Sequence, residues 1–182
     1  MRSHHLGTRQ LESLFDPSTD VAESIVGETV IRCRPATDQE ERRTCAVLRH
    51  QVFVVEQGIF QDSDRDDLDE DPGTIHLVCT VDSLVGGTVR IYRLDEPGLW
   101  KGDRLAVAPA MRRVRLGKHL VGHAVRTARK LGGEEMIASV QLANVAFFEY
   151  LGWLRDGDPA PYHGVPHQTM RIGLSRGNAH PN

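Results

Sequence analysis

The segment from residue 104 to residue 133 constrains the fold more than any other part of the sequence. Apolar residues recur there at intervals of three or four from Leu116 to Leu131, which places them on one face of an α-helix. Gly132-Gly133 is expected to end this helix. The apolar run at 104–108 predicts a strand that Pro109 stops. The segment therefore predicts a strand, a basic turn and an amphipathic helix in direct succession.

Further strands and helices are predicted on both sides of this unit. Two apolar runs, at 76–81 and 85–92, flank Asp82-Ser83 and predict an antiparallel hairpin. A helix is predicted from residue 39, and its buried face would comprise Cys45, Leu48, Val52 and Val55. The other predicted elements are a first strand at 29–34, a strand at 136–141, a short helix at 144–151 and late strands at Trp153 and 167–174. This order is typical of an α/β domain with a mixed sheet.

The chain is predicted to contain one domain. Its 182 residues can bury an apolar core without help from disulfides or metals. Residues 1–27 are polar and weakly patterned, which predicts a flexible or loosely packed arm. The folded domain is expected to span residues 28–175, and residues 176–182 are expected to form a C-terminal tail.

Composition and charge argue against several classes of protein. The formal net charge is −3 and no face is strongly basic, so a general binder of nucleic acids or membrane surfaces is not expected. No apolar run approaches the ~20 residues that span a bilayer. The N-terminal sequence MRSHHLGTRQ lacks the apolar centre of a signal peptide, so a cytoplasmic location is expected.

The three cysteines predict neither a disulfide nor a metal site. Cys33, Cys45 and Cys79 are odd in number, far apart in the chain and without histidines at ligand spacing. Each lies in an apolar stretch, so buried and unreactive thiols in a reducing compartment are expected.

A cluster of basic residues precedes the amphipathic helix, at Arg112, Arg113, Arg115 and Lys118. A helix N-terminus presents free N–H groups and about half a positive charge, so the turn suits a polyphosphate. A merely solvated helix start is an equally open interpretation. The nucleotide pattern GxxxxGK[ST] and the dinucleotide pattern GxGxxG are both absent from this turn.

Two segments resemble the GNAT superfamily of N-acetyltransferases. The stretch LAVAPAMRRVRLGKHLV is similar to a signature in which a strand and a proline precede [RQ]-x-x-G-x-[GA] at a helix start. Arg112 matches its first position and Gly117 its last, whereas Arg115 replaces the middle glycine. The stretch NVAFFEYLGW at 144–153 resembles the family segment N-x-x-A-x-x-F-Y-x-x-L-G-[FW]. The resemblance covers residues 29–174.

A narrower resemblance concerns one subgroup of that superfamily. The runs EQGIF, WKGDRLAV, VQLANVAFFEYLGW and YHGVPH together resemble N-acetyltransferases from bacterial nitrogen-starvation gene clusters. The superfamily resemblance implies the acyl-CoA N-acyltransferase fold, with a mostly antiparallel sheet flanked by helices. It also implies that this sheet is splayed between the strands at 104–108 and 136–141.

The superfamily resemblance also implies acetyl-CoA as cosubstrate, a small amine as acceptor and no metal. The pantetheine arm would contact the strand residues Leu105, Ala106 and Val107. The residues implied at the pyrophosphate are Arg112, Arg113, Val114, Arg115, Leu116, Gly117 and Lys118. Asn144 and Phe148 would face the pantetheine or the thioester.

Direct transfer requires a neutral amine that attacks the thioester carbonyl. A lysine-like amine has a pKa of about 10.4, so its neutral form costs roughly 4–5 kcal/mol at pH 7 and a general base is expected. Glu56 and His167 are the candidate bases, with a structural carboxylate and an ordinary hydrogen-bonding histidine as the alternatives. By alignment Phe148 occupies the position of the family's tyrosine acid. Tyr162, His167 or solvent would then protonate the thiolate, unless Tyr162 is only a wall residue.

The loop QDSDRDDLDEDPG at 61–73 is rich in carboxylates. An EF-hand is excluded because Asp67 occupies its glycine position and Gly73 its closing glutamate. The loop is expected to be solvated, or else to attract a cationic acceptor. This loop and the segment 155–166 are both expected to be irregular and to line the acceptor pocket.

Two classes of function therefore remain open. The first is an acyltransferase that acts on a small or amino-acid-like amine. The second is a catalytically weak acyl-CoA-binding or complex-forming module, which Arg115 and Phe148 favour because each replaces a residue that the chemistry uses. A DNA-binding regulator ranks last, since the sequence lacks a helix-turn-helix signal. A homodimer formed through the late strands is a further open expectation.

Overall fold

The structure, a computed structural model, describes residues 15–174 as one eight-stranded sheet flanked by helices. The strands are β1 (Ala22–Val26), β2 (Thr29–Pro35), β3 (Ile75–Val81), β4 (Leu84–Arg93), β5 (Leu99–Val107), β6 (Glu135–Gln141), β7 (Leu154–Tyr162) and β8 (Val165–Gly173). The α-helices are α1 (Gln39–His50), α2 (Leu116–Lys130) and α3 (Val145–Tyr150). Short 3₁₀ segments at Asp67–Asp69, Pro109–Val114 and Leu142–Asn144 connect them.

One pair of neighbouring strands in the sheet, β5 and β6, is parallel. The spatial order of the sheet is β1-β2-β3-β4-β5-β6-β8-β7, and every neighbouring pair is antiparallel except β5 and β6. These two strands pair only where Leu99–Gly102 runs beside residues 135–138. Beyond Gly102 they separate, which confirms the predicted splay, although β5 begins five residues before the predicted strand at 104.

The two faces of the sheet carry different helices, as alternation along β5 makes clear. The side chain of Ala106 packs against Val52 and Phe53 in the segment after α1. Its neighbours Leu105 and Val107 point to the other face, where α2 buries Leu116 and other residues of the predicted apolar stripe. The larger core therefore lies between the sheet and α2.

The first helix differs from its prediction at its C-terminal end. Cys45 and Val52 are buried as expected, but Leu48 is half-buried and Val55 is 61% exposed. The reason is that the chain passes into a π-helical turn at Gln51–Glu56. A π-helical turn breaks the 3.6-residue period, so Phe53 rather than Val55 packs with Val52.

Two segments predicted to be irregular contain strands. Part of the arm expected at 1–27 is β1, which pairs with β2 along its full length, while residues 1–14 lie outside the described residues. The segment 155–166 is mostly β7, which pairs with β8 and covers the end of the sheet. Their polar composition concealed both strands, because an edge strand can expose most of its side chains. The tail expected at 176–182 also lies outside the described residues.

Asp64, Asp66 and Asp69 in loop 61–73 are paired with arginines, so the expectation of a solvated or amine-attracting loop is wrong for its central residues. Asp64 and Asp69 are buried and both contact the guanidinium of Arg49, whose side chain is 2% exposed. Asp66 binds Arg90, and Arg90 also contacts Asp103 on β5 at 2.8 Å. Burial alone would raise the pKa of Asp69, but hydrogen bonds and the charge of Arg49 lower it overall. The loop is therefore fixed to α1 and to the sheet.

The sheet register also corrects the expectation for the cysteines. Cys33 on β2 and Cys79 on β3 are register partners, and their buried sulfur atoms lie in direct contact. Their separation of 46 residues concealed this pairing in the sequence. Cys45 is a buried free thiol, as predicted. Within residues 15–174, no helix is long and apolar enough to cross a membrane.

We expect Asp69→Asn to lower the free energy of unfolding by roughly 3 kcal/mol, because it leaves Arg49 as a buried and undercompensated cation. Urea denaturation monitored by circular dichroism measures this loss. Asp62→Asn is the matched control. Asp62 lies in the same loop but is exposed, so its replacement should change stability by less than about 0.5 kcal/mol. Equal stability of the two variants would contradict the role given to this network.

Candidate functional site

A groove opens where β5 and β6 separate. One wall is formed by β5 and the start of α2, and the other by the end of β6 and by α3. The predicted residues whose side chains or backbone line this groove are Leu105, Val107, Arg112, Arg115, Gly117, Lys118, Asn144 and Phe148. The groove therefore brings together the two sequence segments that carried the family resemblance.

Four predicted binding residues do not line the groove. Ala106 and Leu116 are at most 1% exposed, and their side chains belong to the core. Arg113 points to solvent and Val114 is half-buried against the main core. The side chains of Ala106, Val114 and Leu116 are therefore turned away from a ligand in the groove, whereas the exposed guanidinium of Arg113 lies outside its lining.

A β-bulge shapes the β5 wall. Thr88 on β4 pairs with Ala106, whereas Arg90 pairs with Asp103, so two residues of β5 face one residue of β4. Arg104, at the bulge, has a positive φ of 54°. The bulge bends β5 away from β6 at the point where their pairing ends.

The N-terminus of α2 forms the basic end of the groove. Arg115 has φ 56° and ψ 34°, the left-handed conformation in which the family signature has glycine. Its carbonyl accepts from the Lys118 N–H at 3.0 Å and closes the first turn. Both side chains are exposed beside the free N–H groups of the helix start. This arrangement provides positive charge and N–H donors for a polyphosphate.

Glu56 lies outside the chamber where a general base would act. Its carboxylate accepts two hydrogen bonds from Arg112, at 2.7 and 2.8 Å, and this pairing lowers its pKa. A carboxylate that is already paired and held in its charged form is a weak proton acceptor. The geometry therefore assigns Glu56 to positioning Arg112, whose Nε–H also donates to the Val107 carbonyl at 3.3 Å.

Gly117 leaves room that no part of the described protein fills. A Cβ at this position would meet Phe147 at 3.6 Å and Val107 at 3.9 Å, which are ordinary contact distances. Its backbone is helical, so neither φ nor internal crowding requires glycine there. A ligand that approaches the backbone closely does require it. The groove thus has room beside the backbone of α2, next to its basic end, for part of a ligand.

A chamber lies beside the groove and contains two of the predicted catalytic residues, Tyr162 and His167. His167 is 8% exposed, and its Nδ1 lies 2.8 Å from the carbonyl oxygen of Val165. A carbonyl oxygen can only accept, so Nδ1 carries a proton, and in the neutral form of the ring the lone pair lies on Nε2. Nε2 has no hydrogen-bond partner among the side chains described.

Tyr162 is held by Arg104. The guanidinium of Arg104 donates to the phenol oxygen at 2.9 Å and lies 4.8 Å from the ring centre of Phe60. Because the phenol oxygen accepts this bond, its own hydrogen is free to donate into the chamber. The ring of Tyr162 also contacts the ring of His167, with 5.2 Å between centres.

The groove and the chamber meet at four residues that line both: Leu105, Gln141, Asn144 and Phe148. Asn144 is exposed at the end of β6, and Phe148 is buried against Trp153 with 5.2 Å between ring centres. A molecule that extends along the groove therefore reaches the chamber at this junction.

The sequence analysis missed five polar residues of the chamber: Lys101, Asp103, Arg104, Ser139 and Gln141. Period-two alternation along β5 was the available signal for Lys101, because Lys101 and Asp103 share one face. This alternation could not identify Arg104, because the bulge interrupts the alternation at that residue and places its side chain in the chamber.

A splayed mixed sheet with a basic helix start at the mouth of its groove defines the class of acyl-CoA-dependent N-acyltransferases. The profile of the acetyltransferase (GNAT) family matches residues 38–153, which is more than half of the chain. The chain belongs to this family and is an acyltransferase.

Known proteins agree with this assignment. A Bacillus subtilis protein named as an acetyltransferase is 26% identical over 135 residues, covering 74% of this chain and 90% of that protein. An N-acetyltransferase structure from Lactobacillus plantarum matches with TM-score 0.72 and 22% identity over 80% of this chain and 99% of that one. Salmonella typhimurium YncA, solved with acetyl-CoA, matches with TM-score 0.65 and 20% identity, covering 84% and 98% of the two chains.

We expect Gly117→Ala to weaken acetyl-CoA binding by about tenfold while stabilising the helix by up to about 1 kcal/mol. The methyl group fits the protein but occupies space that the ligand needs. Isothermal titration calorimetry and thermal unfolding measure the two effects separately. Gly122→Ala, elsewhere on α2, is the control and should raise stability without changing affinity. If Gly117→Ala bound acetyl-CoA with unchanged affinity, the groove would not be the acetyl-CoA site.

Proposed function

We propose that the chain transfers the acyl group of an acyl-CoA, of which acetyl-CoA is the simplest, to the amine of a small-molecule or amino-acid-like acceptor. One observation carries the proposal: the basic groove and the polar chamber meet at Leu105, Gln141, Asn144 and Phe148. A donor in the groove and an acceptor in the chamber would approach each other at this junction. Alignment of two bound reactants can supply roughly 7–11 kcal/mol of the barrier reduction.

The donor would be held mainly at the start of α2. Arg115, Lys118 and the N–H groups of the first helical turn would bind its pyrophosphate. Backbone groups of Leu105 and Val107 would hold the pantetheine arm, because β5 has no strand partner on that side beyond Gly102. When bound, the donor supplies a thioester, whose carbonyl carbon accepts the nucleophile and whose thiolate leaves.

His167 would handle the proton of the acceptor. Its Nε2 would take one proton from the ammonium form of the acceptor, which leaves a neutral amine with a free lone pair. The amine nitrogen then forms a bond to the carbonyl carbon as the carbon–sulfur bond breaks. The amide nitrogen then gives up its one extra proton and the thiolate takes up one, so this proton would pass from nitrogen to sulfur with Tyr162 or solvent as the relay.

The chamber favours an acceptor that carries a carboxylate. Lys101 lines it, and no carboxylate in residues 15–174 forms an ion pair with this lysine. Asp103 and Arg104, its neighbours in the chamber, are by contrast already paired. An acceptor carboxylate would complete the charge balance of the chamber, and its amine could then extend towards His167.

Other parts of the proposal rest on the sequence alone. They are the C-terminal limit of the domain at residue 175, the cytoplasmic location, a homodimer formed through the late strands and membership of the nitrogen-starvation subgroup. The proposal includes no metal, nucleic acid or membrane as a partner.

The decisive experiment combines the purified protein with acetyl-CoA and a panel of amines, and follows release of free thiol above the rate without amine. Amino acids should support release, and their decarboxylated amines should support less. A Lys101→Gln variant should lose most of this distinction. Binding of acetyl-CoA without any release would favour the alternative of a catalytically weak acyl-CoA-binding module, for which the presence of Arg115 and Phe148 is the specific argument.

We expect His167→Gln to lower kcat/KM for the best acceptor by 10²–10⁴-fold, as is typical when a general base is removed. The affinity for acetyl-CoA should not change, because His167 lines the chamber and not the groove. His50→Gln, at the exposed end of α1, is the control. If His167→Gln retained full activity, another group or solvent would have to be the base.

A further inference from the structure

The chamber continues through the sheet to its other face. At the splay its lining passes from Ser139 and Gln141, which share a face with Lys101, to Ala138 and Val140, which lie on the face of α2. This passage exists because β5 and β6 exchange no strand hydrogen bonds beyond Gly102 and Ala138. The chamber therefore has a polar part on one face of the sheet and a second part beneath α2.

The second part is apolar. The residues that line it on the α2 side are Val89, Val121, Ala124, Met136, Ala138 and Trp153. All of them are at least nine-tenths buried. None carries a charge, and the indole N–H of Trp153 has no hydrogen-bond partner in the described protein.

One stripe of α2 connects this apolar part to the groove. Gly117 lines the groove, and Val121 and Ala124 line the apolar part of the chamber. These residues are four and three positions apart, so they lie on the same helical face. A molecule that follows this face inward from the groove enters the apolar pocket, whereas the polar groups for the acceptor lie on the opposite face of the sheet.

The pocket has limited but adjustable room. The whole chamber encloses about 120 Å³, somewhat less than the about 150 Å³ of an apolar cavity that holds benzene. Gly102 contributes no side chain, and the terminal methyl of Met136 lies 2.8 Å from where its Cβ would be. Met136 thus lies over the space that Gly102 leaves open, and as an unbranched side chain it is the lining residue best able to change rotamer and alter the volume of the pocket.

We propose that this apolar pocket receives the acyl chain of the donor, and that the preferred donor is a short-chain acyl-CoA of about three to five carbons rather than acetyl-CoA. The inference rests on the proposed function, because the chain would reach the pocket only from a thioester at the junction of groove and chamber. It adds the length and apolar character of the transferred group.

The test compares a series of donors with the unmodified protein. Binding of CoA, acetyl-CoA, propionyl-CoA, butyryl-CoA, hexanoyl-CoA and palmitoyl-CoA is measured by calorimetry. Burial of two additional methylene groups should make butyryl-CoA bind about tenfold more tightly than acetyl-CoA. Palmitoyl-CoA should bind more weakly than butyryl-CoA, because the pocket closes.

Intrinsic fluorescence provides a readout that needs no turnover. The chain has two tryptophans, and of these Trp153 lines the chamber. Butyryl-CoA should change the tryptophan emission more than CoA does, and Trp153→Phe should remove this difference.

Two variants test the pocket directly. Ala124→Leu fills it and should reverse the order of affinity, so that acetyl-CoA binds more tightly than butyryl-CoA. Ala46→Leu on α1, outside both cavities, is the matched control and should retain the order of the unmodified protein. If Ala124→Leu does not fold, the donor series alone decides.

The outcomes separate this inference from the proposed function. Equal affinity for acetyl-CoA and butyryl-CoA, or tighter binding of acetyl-CoA, would overturn the acyl pocket and leave the acetyltransferase proposal standing. Failure of every CoA compound to bind would overturn both.

Discussion

The left-handed conformation of Arg104 is the constraint on which the rest of the site depends. A non-glycine residue in this conformation costs about 1–2 kcal/mol, so the surrounding structure must hold it there. The guanidinium donates to the Asp64 carbonyl at 3.0 Å, to Asp66 at 3.2 Å and to Tyr162 at 2.9 Å. These bonds fix the bulge that bends β5, and the bend separates β5 from β6. The groove, the chamber and the passage through the sheet all follow from this separation.

The acidic loop acts on the site through arginines. Asp66 is shared by Arg90 and Arg104, and Asp69 contacts both Arg49 and Arg90. The loop carboxylates are thus engaged in holding cations of α1, β4 and β5 in place. The negative charge of Asp64, Asp66 and Asp69 is therefore balanced by arginines within the protein.

The sequence predicted those parts of the fold that local patterns determine. The periodicity of α2, the hairpin around Asp82-Ser83 and the strand at 136–141 depend on nearby residues, and they were predicted to within a few positions. The positions of Arg104, of the buried carboxylates and of the Cys33–Cys79 pair depend on strand register and on a bulge. The π-helical turn displaced Val55 for a similar reason, because a single extra residue in a turn has no periodic signature. The groove with its two motif segments could therefore be predicted, whereas of the polar residues that line the chamber but not the groove only Tyr162 and His167 were named from the sequence.

Phe148 affects both the chemistry of the site, because it has no acidic group, and its shape, because it forms part of the wall. The family resemblance implies that a tyrosine at this position acts as the general acid. Considered alone, the phenylalanine would therefore favour a catalytically weak protein. In the fold, Phe148 lies in the wall shared by groove and chamber and packs against Phe147 and Trp153. A phenol there would bring a hydroxyl group into apolar surroundings, at a cost of about 1–3 kcal/mol unless it found a partner. Tyr162 presents its phenol from the opposite side of the chamber, where Arg104 already supplies a hydrogen bond. The chamber therefore contains the phenol of Tyr162, although position 148 supplies none.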